Sequence, residues 1–285
     1  MKSNFEQNSQ NIRAIAHQGE TYRLQSRYFE AIAEFNQAIE LNPDYAWVLA
    51  HRGETYRQMN RYSEALVDLS RAIVLNPDYA WGLAHRGETY RQMNRYSEAL
   101  ADLSRAIKLN PDHAWAYACR CLTYEQMNRY EEALADFDQT IALDKTIFSS
   151  WRGDRGLGLI YCQRYTEAIE YCEQQLTENR DDPLILYSLA VAKACLQGRE
   201  DVRTSIDIAR ATLQSQLEMD SGGAFVYRLG GLAALEGKTD QALQYLQEAV
   251  SLKGKPFETA RHDPAWFELR ADPRFQSLIP TTTEA

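Results

Sequence analysis

Residues able to do chemistry recur in this 285-residue sequence at a constant interval. His17, His51 and His85 are evenly spaced, and Glu20, Glu54 and Glu88 follow each of them at the same offset. Arg23, Arg57 and Arg91 come next, with Gln58, Gln92 and Gln126 beside that column, and Trp47, Trp81 and Trp115 precede the histidines. One imidazole per repeat separates successive imidazoles by roughly 10 Å, the usual distance between neighbouring helices, too far for three of them to share a metal. Recognition fits the residue types better, because Trp and Arg are enriched at binding hot spots. The columns read as a polar strip with aromatic anchors, suited to an extended peptide. A second reading stays open: near-identical repeats copy every residue, and each Trp packs against the adjoining hairpin.

The elements that position these columns are helices. Offsets of four, three and four from Trp47 through His51 and Glu54 to Gln58 place all four on one helical face. Leu49, Gly53 and Tyr56 mark an inner face of the same helix, and Ala65, Leu66, Leu69, Ala72 and Ile73 form the apolar stripe of the next. Asn60 stands where a helix ends in a left-handed residue. Asn-Pro-Asp at 42–44, 76–78 and 110–112 stops one helix, and its Asp is expected to cap the following one. Arg52, Arg86 and Arg120 recur with Asp68, Asp102 and Asp136, one on each helix of a hairpin, and are expected to pair within each repeat. Small residues at Gly53 and Ala65 let the two helices approach closely.

Residues 46–79 and 80–113 match at all but four positions: Val48/Gly82, Val67/Ala101, Val74/Lys108 and Tyr79/His113. Residues 12–45 and 114–147 keep the same frame more loosely. The fixed columns are Gly19, Gly53, Gly87; Tyr22, Tyr56, Tyr90, Tyr124; Ala31, Ala65, Ala99, Ala133; Phe35, Leu69, Leu103, Phe137; and Pro43, Pro77, Pro111. This spacing and these columns resemble the tetratricopeptide repeat. The resemblance implies an all-α, right-handed superhelical solenoid of antiparallel helix pairs, with six or seven repeats and a C-terminal cap. It also implies that the first helix of each repeat lines a concave groove holding a protein or peptide. Relatives that grip the acidic C-terminus of heat-shock chaperones use a clamp of Lys, Asn and Arg. Here Ala50, His51 and Glu54 stand at that stretch, and Glu54 would repel a carboxylate.

Four regular repeats are expected over 12–147 after an N-terminal extension, 1–11. Degenerate repeats follow over 148–256, where Gly156, Ala168, Gly230, Ala242, Leu246 and Ala249 persist. An elongated helix is expected from Asp201 to Met219. Helices at 184–196 and 224–235 are apolar almost all round, so either the long helix and the tail cover them or they form a pocket for a hydrophobic ligand. Asp263-Pro264 and Asp272-Pro273 each place a capping Asp before a first-turn proline, which predicts two short closing helices over 257–285. Phe257, Trp266, Leu269, Phe275, Leu278 and Ile279 give them an apolar face. The run Leu269-Arg270-Ala271-Asp272-Pro273-Arg274-Phe275 resembles the closing segment of bacterial repeat proteins and favours a bacterial source.

A net charge of −9 disfavours nucleic acid and anionic membranes as partners. No apolar run is long enough to span a membrane, and the polar first residues lack the apolar stretch of a signal peptide. Cys119, Cys121, Cys162, Cys172 and Cys195 form no CxxC pair and read as buried thiols of a reducing, cytoplasmic compartment. No phosphate-binding glycine loop, HExxH or GxSxG is present, and Gly-Leu-Gly at 156–158 sits inside a predicted helix. The sequence therefore predicts a non-catalytic adaptor without metal or cofactor, binding a protein segment along residues 12–125. The alternative is a sensor of a small peptide or apolar ligand in the C-terminal half, and complementary repeat ends leave self-association open. His51, placed near Glu54, predicts an affinity that changes between about pH 5.5 and 7.5.

Overall fold

The computed structural model describes residues 2–147, 152–198, 202–220, 222–253 and 258–279. The described residues are helices and turns, grouped in two compact units that divide after Ile147.

The first unit holds four antiparallel pairs: α1 (Lys2–Leu24) with α2 (Tyr28–Leu41), α3 (Ala46–Gln58) with α4 (Tyr62–Leu75), α5 (Ala80–Gln92) with α6 (Tyr96–Leu109), and α7 (Ala114–Gln126) with α8 (Tyr130–Leu143). Residues 2–11 belong to α1 itself. Each hairpin closes where the small columns meet. A β-carbon on Gly53 would stand 2.8 Å from Leu69 Cγ and 3.1 Å from the Ala65 carbonyl oxygen, and Gly87 faces Leu103 in the same way. Asn60, Asn94 and Asn128 turn the chain with φ near +58°, the left-handed conformation that Asn tolerates. Tyr62, Tyr96 and Tyr130 hydroxyls donate to those same Asn side chains. The tyrosine column has a cationic lid, since the Arg61, Arg95 and Arg129 guanidinium groups lie about 4.5 Å over the Tyr56, Tyr90 and Tyr124 rings.

The Arg–Asp ladder does more than close a hairpin. Arg52 grips Asp68 through two 2.7 Å bonds and donates a third to Asn36 of the preceding pair. Arg86 and Arg120 repeat this with Asp102 and Ser70, and with Asp136 and Ser104. The aspartates are buried, so each bidentate pair joins two helices and its third bond joins two repeats.

One expectation fails in the connecting turns. Asp44 does not cap α3: residue 45 occupies the capping position and no side chain accepts there. Asn42 Oδ1 instead accepts the Asp44 N–H, which turns the chain at the proline, while Asp44 points outward to Arg71.

The second unit holds α9 (Arg152–Tyr161) with α10 (Tyr165–Glu178), α11 (Pro183–Gln197) with α12 (Arg203–Ser215), and α13 (Ala224–Leu235) with α14 (Thr239–Lys253). The long helix expected from Asp201 to Met219 is shorter. It spans Arg203–Ser215 and gives way at Gln216 to a 3-10 turn, Leu217–Met219. The break has a purpose, because it delivers the Asp220 carboxylate to the N–H groups of Ala224, Phe225 and Val226 at the start of α13. Short 3-10 segments, Glu258–Arg261 and Pro264–Leu269, and α15 (Pro273–Leu278) close the chain. Asp263 and Asp272 cap the last two of these, as their sequence predicts. Trp266, Leu269, Phe275 and Ile279 are buried beneath them, while Phe257 lies outside the described residues.

Candidate functional site

The tryptophan and histidine columns merge into one stack. Trp47, Trp81 and Trp115 occupy the first turns of α3, α5 and α7, half-buried. His51 lies between two of them, with ring centroids 3.7 Å from Trp47 and 4.3 Å from Trp81, the latter planes 5° apart. His85 fills the next space, 3.8 Å from Trp81 and 4.3 Å from Trp115. Five rings from three repeats thus form one continuous pile, and His17 leans on its end, 5.5 Å from Trp47. Each Trp also packs against the core of the adjoining hairpin while remaining partly exposed.

Beneath the stack runs a buried ionic line. Glu54 accepts two 2.7 Å bonds from Arg57, one turn further along α3. Its carboxylate also accepts the Nδ1–H of His85 in the following repeat at 2.7 Å. Burial opposes its charge, but His85 and Arg57 outweigh it and hold the carboxyl down at about 2. Glu88 accepts Arg91 and Gln92 in the same manner. In the fourth repeat Cys119 replaces the imidazole. Its thiol reaches Glu88, and burial together with that carboxylate pushes it well above the ordinary thiol range. The link therefore runs from the carboxylate of one repeat to the column residue of the next.

This register corrects the sequence expectation for His51. Glu54 bonds His85, not His51, whose Nδ1–H donates to the Trp47 carbonyl at 2.8 Å. Burial, against the pull of Glu20, lowers the His51 imidazole to about 4. It is neutral throughout the range in which an affinity change was expected. Burial lowers His85 as well, though Glu54 opposes the shift.

His51, Glu54, His85 and Glu88 are thus buried and committed inside the unit. The residues of the strip left partly open are Trp47, Arg57, Gln58, Trp81, Arg91, Gln92 and Trp115. The side-chain oxygens of Gln58 and Gln92 are themselves buried and accept no hydrogen bond from a described residue.

In the second unit the two apolar helices are covered. α11 packs against α9, α10, α12 and α13, and α13 against α12, α14 and the Pro264–Leu269 segment. Gly230 is the socket: a β-carbon there would stand 2.6 Å from the Trp266 ring. Sequence reasoning saw Asp263 only as a cap. It is fully buried, and its carboxylate also accepts the hydroxyls of Tyr187 at 3.0 Å and Tyr227 at 2.9 Å. Burial raises its carboxyl above the ordinary range against those bonds. The prior signal was a tyrosine on each of two largely apolar helices, each needing a polar partner once buried. Among the described residues no group of His, Cys, Asp and Glu is placed to hold a metal, and no helix is long and apolar enough to cross a membrane. The five cysteines form no disulfide; Cys119, Cys121 and Cys172 are buried as expected, and Cys162 and Cys195 only partly so.

Comparison with known proteins agrees with this architecture. Tetratricopeptide-repeat models match residues 19–57, 53–93 and 87–128, then 155–184 and 224–256. A tetratricopeptide repeat protein from Parabacteroides merdae ATCC 43184 superposes with a TM-score of 0.64 at 16% identity, over 90% of this chain and 98% of its own. YrrB, described as a TPR protein with an unusual peptide-binding site, gives 0.57 at 18% identity, over 64% and 94% of the two chains. A structure of MamA (MSR-1 C2) gives 0.53 at 20%, over 60% and 98%. No curated protein sequence matches the chain. The chain belongs to the tetratricopeptide-repeat family, and its fold is that family's stack of helix pairs.

Proposed function

We propose that this protein is a non-catalytic interaction adaptor whose first unit holds a protein segment along α3, α5 and α7. The observation that carries this reading is the Trp47–His51–Trp81–His85–Trp115 stack. Locked rings of this kind lose little conformational freedom on binding, so contact with their exposed surface is converted into affinity efficiently. Arg57 and Arg91 flank the strip with their charges already balanced by Glu54 and Glu88, which suits a neutral or mixed-charge segment over a strongly ionic one. The peptide site named for YrrB supports the same class of role for this fold. The acidic balance of the chain argues against a nucleic-acid ligand.

The test is capture from native lysate by wild type and by a Trp47→Ala/Trp81→Ala chain, followed by affinity measurement with the captured partner. Each lost ring should weaken binding by about tenfold or more, equivalent to about 1.4 kcal/mol or above, with helix content retained. Equal affinity in the folded double variant would remove the strip from the binding site. A Trp47→Leu/Trp81→Leu chain, which keeps apolar bulk, serves if the alanine form loses structure.

A further inference from the structure

A hollow of about 420 Å³ opens in the second unit, at the ends of α9, α11 and α13 where the closing segment crosses them. Such a volume lies at the small end of ligand sites. Its lining combines the polar residues Arg270, His262, Tyr161 and Tyr165 with apolar ones that include Leu235 and Phe267. None of its eleven lining residues is Asp or Glu. That matters in a chain where 40 acidic residues outnumber 31 basic ones. Three carboxylates adjoin the wall in the chain without lining it. Asp263 is buried and turned inward to Tyr187 and Tyr227, Glu236 pairs with Arg210 and Lys238, and Glu268 lies on the exposed face of its turn. Arg270 is held by one bond, from Nη2 to the Asp263 carbonyl at 3.0 Å, with its guanidinium 5.3 Å from the Phe267 ring. Its Nε–H is buried and meets no acceptor among the described residues. Arg261 and Arg270 both act, after burial, to lower the His262 imidazole, so the opening sits in a positive local field.

We propose that this hollow binds a small carboxylate joined to an apolar or aromatic body, with the acid on Arg270 and the body against Leu235 and Phe267. Two sources share that chemistry: the free C-terminus of a peptide ending in an apolar residue, and a small aromatic acid. The site stands apart from the aromatic strip and does not depend on it.

Calorimetric titration of the whole chain tests the proposal with four probes. They are 3-phenylpropionate, 3-phenylpropanamide, and N-acetyl-Leu-Phe as its free acid and as its C-terminal amide. Both acids should bind, and each amide should bind at least tenfold more weakly. Arg270→Gln should reduce acid binding at least tenfold, and Cys195→Phe, which fills the hollow from α11, should abolish it. If Arg270→Gln fails to fold, Cys195→Phe alone gives the answer. Tighter binding of the dipeptide acid assigns the site to chain termini, and tighter binding of phenylpropionate assigns it to small aromatic acids. Equal affinity for acid and amide, no binding at millimolar probe, or binding unchanged in the folded variants each overturns the proposal.

Discussion

At the scale of single residues, Gly53 shows how little room the hairpin leaves. Gly53→Val would drive carbon into Leu69 and the Ala65 carbonyl, and should cost about 1–3 kcal/mol, read as a lower melting temperature by circular dichroism. His51 makes a prediction of opposite kind, because it leaves the neutral-pH structure untouched. The unfolded chain takes up a proton near pH 6.5 that the folded chain refuses until about 4. Stability is therefore complete above 6.5 and falls through that window, by about 3 kcal/mol at its foot. Glu54 adds a second loss below it, as pH drops from 4.5 toward 2. Urea midpoints at pH 7, 5.5 and 4.5 should decline for wild type and decline less for His51→Phe, which keeps a stacked ring without a titrating nitrogen. A midpoint equally steep in both would locate the acid sensitivity elsewhere. The columns themselves were legible in the sequence, since spacing of three and four is a local signal. The Glu54–His85 bond was not, because it depends on the register between two repeats, and the nearer His51 sits in the same helix as Glu54.

Between elements, the Arg–Asp ladder carries a measurable coupling. Asp102→Ala leaves Arg86, about 20% exposed, with its Ser70 hydrogen bond and the Tyr90 ring 5.9 Å away but no counter-charge. The expected cost is about 2 kcal/mol, below the range for a fully buried pair because Arg86 keeps some water. Removing both partners, as Arg86→Met with Asp102→Leu, should recover most of that loss. A double-mutant cycle checks this, and additive single costs would deny the coupling. Hairpins, caps at Asp263 and Asp272, and left-handed Asn turns followed from residue type alone. Two errors share one cause: a polar side chain has several local partners, and sequence does not choose among them. Asp44 lost its expected cap because Asn42 had already turned the backbone, and the Arg203–Ser215 helix stops early because Asp220 is needed at α13. The Arg–Asp pairing was readable, while its third bond to the previous repeat was not, since Asn36, Ser70 and Ser104 form no uniform column.

At the scale of the molecule, each unit carries its own core, so residues 1–147 produced alone should be helical and melt in one cooperative step. A featureless, gradual melt would show that the first unit depends on the rest of the chain. The fold of both units was legible because repeats announce themselves through self-similarity. The second unit was legible only in outline, because its packing rests on long-range events such as Trp266 closing on Gly230 and Tyr187 and Tyr227 sharing Asp263. The apolar runs at 184–196 and 224–235 indicated burial without indicating what would bury them.

The near-identity of residues 46–79 and 80–113 has a hereditary side. Because the two copies share one 34-residue frame, an unequal exchange between them in the coding segment would delete or add one whole repeat in register, although His51 bonds the Trp47 carbonyl where His85 bonds Glu54. Loss of 46–79 would bring α5 onto α2 with one visible scar, a void where Val48 had met Phe35 and Ala38, since Gly82 would stand there. The number of aromatic rungs is thus a quantity that descent can change by whole steps.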